Sequence, residues 1–159
     1  MIVVLHNIRS LYNVGSIFRT ADAVGVEKVY LCGYTPSPKD KFGKYRQQLT
    51  KVSLGAEKYI PWEKIKSTAS VIKKLKNEGY KIFAIEQDKN SMPYYKIKSK
   101  GQIVNNKIVL ILGNEVKGLP PSILKLADKI LEIPMYGRKE SLNVAVAFGI
   151  VAFYLKSGK

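Results

Sequence analysis

The stretch SLNVAVAFGIVAFYL, residues 141 to 155, constrains this chain more than any other: 12 of its 15 residues are apolar. A surface helix of period about 3.6 keeps a polar stripe, and this one has almost none. The run is also shorter than the roughly 20 residues of a membrane span. It must therefore be covered by protein on nearly every side. Its two polar residues, Ser141 and Asn143, crowd the first turn and need reasons of their own.

Upstream, short apolar runs alternate with helical patterns. Ile2 to Leu5 reads as a buried strand, and the helix opening at Asn13 places Val14, Ile17, Phe18, Ala21 and Val24 on one face before Gly25 ends it. Lys28 to Cys32, Tyr80 to Ile85, Ile108 to Leu112 and Lys129 to Ile133 are further expected strands. Helices are expected over Arg46 to Leu54, Glu63 to Asn77 and Pro121 to Ala127, with residues 33 to 45 and most of 89 to 107 as loop. Strands alternating with helices imply a single α/β domain, a parallel sheet with helices on both faces.

Charge narrows the class of partner. The chain carries 27 Lys and Arg against 12 Asp and Glu, a net charge of +15, which favours a polyanion by steering and counterion release. Lysine enrichment also accompanies growth at high temperature, so charge alone does not establish RNA binding. The lysines of 39 to 66 and 89 to 107 are the candidate phosphate contacts, interleaved with Phe42, Tyr45, Tyr94 and Tyr95. The single cysteine, Cys32, allows neither an internal disulfide nor a cysteine metal cluster and fits a buried strand thiol. No metal site is expected. The N-terminus lacks the charged and small-residue features of a signal peptide, so the expected compartment is the cytoplasm.

Three segments could carry chemistry. In ILGNEVKGLP, residues 111 to 120, Gly113, Asn114, Glu115 and Gly118 follow a strand end, where open α/β folds bind ligands. In IPMYGRKESLN, residues 133 to 143, a strand end again leads through a glycine loop, here to Ser141 and Asn143. Capping the final helix suits Ser141; Asn143 is a poor helix former on an apolar helix. In NIRSLYNVGSIFRTAD, residues 7 to 22, Asn13 and Gly15 stand near a helix start suited to anion contact, with Arg19 further along. Taken singly, a surface turn for Glu115, a helix cap for Ser141 and a solvated arginine for Arg19 explain these residues. Neither a G-x-G-x-x-G nor a P-loop signature is present, and His6, the lone histidine, fits a strand end better than a hydrolase triad.

Taken together, the segments closely resemble the SpoU/TrmH family of S-adenosylmethionine-dependent RNA ribose 2′-O-methyltransferases of the SPOUT superfamily. The motifs run in order: NxGxxxRTA at Asn13 to Ala21, LGNExxGL at Leu112 to Leu119, and IPMxGxxxSLNVAVA at Ile133 to Ala147. The resemblance implies a deep C-terminal trefoil knot, one of the rare departures from unknotted chains. It further implies a homodimer whose partner covers the last helix, S-adenosylmethionine as cofactor, and tRNA or rRNA as substrate. It assigns Gly113, Ile133, Met135 and Leu142, with Ile85 beside them, to the cofactor. It assigns Arg19 to the ribose hydroxyl, with Asn13, Glu115, Ser141 and Asn143 in support. The chain opens at its first motif, so no preceding RNA-binding domain is expected. A base methyltransferase of the same fold and a noncatalytic RNA-binding or assembly factor remain open as alternatives.

Overall fold

The computed structural model describes residues 1–97 and 107–157. Seven strands form one parallel sheet in the order β3-β2-β1-β6-β4-β7-β5. They are β1 (Ile2–His6), β2 (Lys28–Cys32), β3 (Trp62–Ile65), β4 (Lys81–Ile85), β5 (Met92–Pro93), β6 (Ile108–Leu112) and β7 (Lys129–Glu132). The central strand β6 is buried at all five positions, as a strand covered on both faces should be.

Alternation along each strand divides the core in two. Val3, Leu5, Leu31 and Leu110 face a layer made by α1 (Leu11–Val24), α2 (Gln47–Ser53), α3 (Ala56–Tyr59) and α6 (Val144–Ser157). Val4, Tyr30, Val109 and Ile111 face α4 (Thr68–Asn77) and α5 (Pro121–Leu124). Each large apolar side chain buried in these layers contributes roughly 1.5–3 kcal/mol.

Two expected segments take another form. Glu63 does not begin a helix: residues 62 to 65 pair with β2, with Val29 opposite Trp62 and Cys32 opposite Ile65. The helix waits for Ser67, whose hydroxyl accepts the Ser70 N–H at 3.3 Å. A four-residue edge strand is too short to show its period against the helical pattern behind it. Within the lysine stretch 89 to 107, Met92 and Pro93 add a further edge strand beside β7; residues 98 to 106 lie outside the described residues.

α1 starts at Leu11 rather than Asn13, because Ser10 caps it and accepts the Asn13 N–H at 3.2 Å. Gly15 is therefore a full turn inside the helix. A Cβ there would lie 2.5 Å from the Leu49 carbonyl oxygen, so Gly15 serves the close packing of α1 on α2 and is not available to an anion. α6 buries Phe148, Val151, Ala152 and Leu155 and packs across β6 onto α1. Val146 and Phe153 stay 50% exposed. One chain thus covers only half of the apolar helix.

Candidate active site

The C-terminal ends of β4, β6 and β7, the start of α1 and the approach to α6 enclose a cleft of about 310 Å³. Asn13, Ile85, Gly113, Glu115, Ile133, Met135, Ser141, Leu142 and Asn143 all line it. Arg19 does not. It stands exposed on α1, and among the described residues it makes no hydrogen bond or ion pair.

The loop after β6 forms one wall. A Cβ on Gly113 would meet the Gly118 carbonyl carbon at 2.5 Å and the Leu119 nitrogen at 2.6 Å, so only glycine lets the chain double back here. Gly118 turns with φ +63°, and its N–H donates to the Asn114 carbonyl at 2.9 Å. The Asn114 side chain accepts the N–H groups of Val116 and Lys117 at 3.0 and 2.8 Å. Its amide donates to the Asn7 carbonyl at 2.8 Å and to the Tyr34 hydroxyl at 3.0 Å. Glu86, the residue after β4, accepts the Leu119 N–H at 2.7 Å. Asn114 stood within the sequence motif without an assigned role. Glu86 was readable only as a carboxylate directly following a strand end.

Glu115 ties this wall to α1. Its carboxylate accepts the Arg9 N–H at 2.9 Å, the Ser10 N–H at 3.0 Å and the Asn13 side-chain amide at 2.9 Å. The anion at the α1 N-terminus is therefore the protein's own. Burial works to raise the Glu115 pKa, but these hydrogen bonds outweigh it and hold the carboxyl below its ordinary range.

Asn13 in turn accepts the Asn143 side-chain amide at 3.0 Å. Asn143 accepts the Ala145 N–H at 2.8 Å and so caps α6. The sequence suggested Ser141 for that cap. Ser141 instead lies exposed on the rim, two residues before the cap, and lines the cleft. Every amide in the relay Glu115–Asn13–Asn143 has its orientation fixed by its neighbours, and Asn143 keeps one N–H hydrogen unused by the relay.

Charge divides sharply at the cleft. The chain carries 27 Lys and Arg, yet among the described residues no Lys or Arg lines the cleft, whereas Glu86, Glu115 and Glu132 do. Such a lining suits a cationic ligand. Ile85, Ile133, Met135 and Leu142 supply apolar surface for a flat heteroaromatic group.

His6 lies elsewhere, at the end of β1. Asn7 donates to its Nε2 at 3.1 Å, which leaves Nδ1 to donate to the Thr68 hydroxyl at 2.7 Å. Burial lowers its pKa. It is a satisfied strand-end histidine. Cys32 is buried, and its thiol is pushed up to about 11 by burial. Neither residue lines the cleft.

The family model of the SpoU rRNA methylase family matches residues 1–153. The chain belongs to this family. It is 35% identical over 153 residues to the tRNA (guanosine(18)-2′-O)-methyltransferase of Aquifex aeolicus, covering 96% of this chain and 67% of that protein. Among solved structures, an AdoMet-bound rRNA methyltransferase from Sinorhizobium meliloti aligns with a TM-score of 0.85 at 31% identity, over 98% of this chain and 55% of that one. A structure described by the 2-OH methylation of C/U34 on tRNA aligns with a TM-score of 0.77 at 25% identity and is covered over 89% of its length. The chain spans about half to two thirds of the length of the curated relatives it matches. Among the described residues, no helix is long and apolar enough to cross a membrane.

Proposed function

We propose that this SpoU-family chain transfers a methyl group from S-adenosylmethionine to a ribose 2′-hydroxyl of tRNA or rRNA, working as a homodimer in the cytoplasm. A cleft lined among the described residues by carboxylates and by no Lys or Arg, in a chain of net charge +15, carries the reading. When bound, the methyl donor supplies an electrophilic methyl group on a positively charged sulfonium. Gly113, by letting residues 113 to 119 double back, sets loop backbone against the ligand, while Ile85, Ile133, Met135 and Leu142 offer apolar contact to its adenine.

The protein's task is to place the hydroxyl in line and to manage its proton. Asn13 and Asn143, locked to each other and to Glu115, present amide groups at fixed angles toward the ribose and phosphate. Ser141 sits on the rim, close enough in sequence to move with Asn143. Arg19 acts on the 2′-hydroxyl. A guanidinium is too strongly protonated to serve as the base alone, so Arg19 works with an RNA phosphate or stabilises the forming alkoxide.

Arg19 lies outside the cleft of its own chain, and Val146 and Phe153 leave apolar surface open on α6. Both support a two-fold partner that covers α6 and brings its arginine to the ribose. The passage of α6 from β7 across β6 to α1 is consistent with the knot that the family resemblance implies. The surface from 39 to 66 suits RNA, with Lys39 and Lys58 over the Tyr45 ring at 4.9 and 5.6 Å.

Calorimetry with S-adenosylmethionine and its demethylated product tests the reading, with binding expected near micromolar, the scale of cellular metabolites. Folded protein that binds neither compound would sink it. Arg19→Ala should lower turnover on a substrate RNA by roughly a hundredfold with donor affinity retained; near-native turnover would remove Arg19 from the reaction.

A further inference from the structure

A second concavity, of about 500 Å³, lies on the far side of the loop after β6 and shares Asn114 and Val116 with the first. Its other lining residues are Arg9, Leu11, Tyr34, Pro36 and Lys117. No carboxylate lines it, and among the described residues Arg9 and Lys117 form no ion pair.

Tyr34 is 57% exposed, yet it is held at two points. Its N–H donates to the Asn7 side chain at 3.1 Å, and its hydroxyl accepts from Asn114 at 3.0 Å. The ring is thus rigid and open. The four aromatic residues picked out from the sequence are engaged already: Lys39 and Lys58 lie over Tyr45, Lys41 over Phe42, and Tyr94 packs edge-on against Tyr95 and Tyr154. Among the described residues, Tyr34 has neither a cation nor a ring against it.

An open aromatic plane beside two unpaired cations matches the two halves of a nucleotide, a base with a π-face and a phosphate. Glu115 fixes the relation between the clefts. The same carboxylate binds Asn13, in the first cleft, and the backbone of Arg9, in the second.

We propose that this second cleft is a subsite for an unpaired RNA nucleotide next to the methylated one, with its base stacked on Tyr34 and its phosphate held by Arg9 and Lys117. The proposal rests on the RNA-methylating function above and adds to it a means of gripping a flipped or looped strand on both sides of the loop after β6. Asn114 carries the coupling, since one side chain orients Tyr34 and holds that loop.

The test is an anisotropy titration of fluorescein-labelled single-stranded oligouridylate and of an unmodified tRNA transcript against four proteins: the native chain, Tyr34→Ala, Tyr34→Phe, and Arg9→Gln with Lys117→Gln. Tyr34→Ala should weaken RNA binding roughly tenfold, as loss of one stacked base does, with S-adenosylmethionine affinity within about twofold of native. Tyr34→Phe should retain native RNA affinity, because the ring and not the hydroxyl does the stacking. The double variant should bind less tightly and lose about two phosphate contacts from its salt dependence.

Native-like RNA binding by Tyr34→Ala overturns the subsite. An equal loss in Tyr34→Phe also overturns it, since that loss would come from the Asn114 contact. Failure of the native chain to bind either RNA overturns it as well. Failure of the native chain to bind the methyl donor strikes the methyltransferase reading and leaves the RNA titration to decide the subsite by itself.

Discussion

Two loops face each other across the proposed donor cleft, and they are built in opposite ways. Residues 113 to 119 are held by the Asn114 side chain, Glu86 and the Gly118–Asn114 bridge, and the chain folds back on itself closely enough to exclude a Cβ at Gly113. Residues 136 to 143 are all exposed, and Asn143 pins that loop at its end. The first loop is preorganised, while the second is the side on which a ligand can still change the chain. Sites for a cofactor that must enter and leave combine a rigid floor with a wall of low local stability.

The largest test of this contrast is Gly113→Ala. Its Cβ would press on the Gly118–Leu119 backbone, so the rigid loop must shift, at a cost of about 2–3 kcal/mol. Thermal unfolding should fall by several degrees and donor binding should be lost. A variant as stable as native would show that the floor is not rigid. An alanine at Gly137, where a Cβ meets nothing within 4 Å, should leave stability within about 0.5 kcal/mol.

Asn143→Ala comes next, removing both the α6 cap and the tie to Asn13, at a cost of about 1 kcal/mol from the cap alone. Asn143→Ser should recover most of that stability through its hydroxyl yet still turn over poorly, because the Asn13 contact is absent. Equal activity in the serine variant and the native chain would confine Asn143 to capping.

Acid supplies a milder perturbation. The folded pKa of Glu115 lies below its ordinary value of 4.5. Its contribution is therefore present above that value and lost as pH falls through the lower folded pKa. Glu115→Gln should flatten this part of the stability-against-pH curve, read by chemical denaturation between neutral and acid pH. An unchanged slope would remove Glu115 from the linkage.

Smallest of all is Ser141→Ala, expected within about 0.5 kcal/mol of native stability because the residue is exposed. Any loss of turnover in it then reports a contact with substrate.

Much of this was legible in the sequence, for a physical reason. β1, β2, β4, β6 and β7 are apolar runs bounded by turn residues, and burial on both faces is written directly into composition. The edge strands β3 and β5 were not legible, since Trp62–Ile65 and Met92–Pro93 gain their conformation from a neighbour's register rather than from their own period. At the site, every residue assigned from the sequence except Arg19 lines the cleft, but the carboxylates Glu86 and Glu132 were not picked out, and the helix cap that suited Ser141 belongs to Asn143. Either can cap a helix, and only the position of Asn13 decides which does. Arg19 shows the remaining gap: its motif is plain, but its distance from the cleft is a property of the folded chain, and it is the proposed two-fold partner that would bring such an arginine to the cleft.

The lining of the proposed donor cleft, free of lysine among the described residues, also gives the molecule a chemical asymmetry. Acylating reagents modify primary amines, so they would strip charge from the outer surface while finding no lysine amine among the described residues that line that cleft. Mild acetylation should therefore yield a protein that still recognises its methyl donor but releases RNA, with the two capacities separated by reagent rather than by mutation.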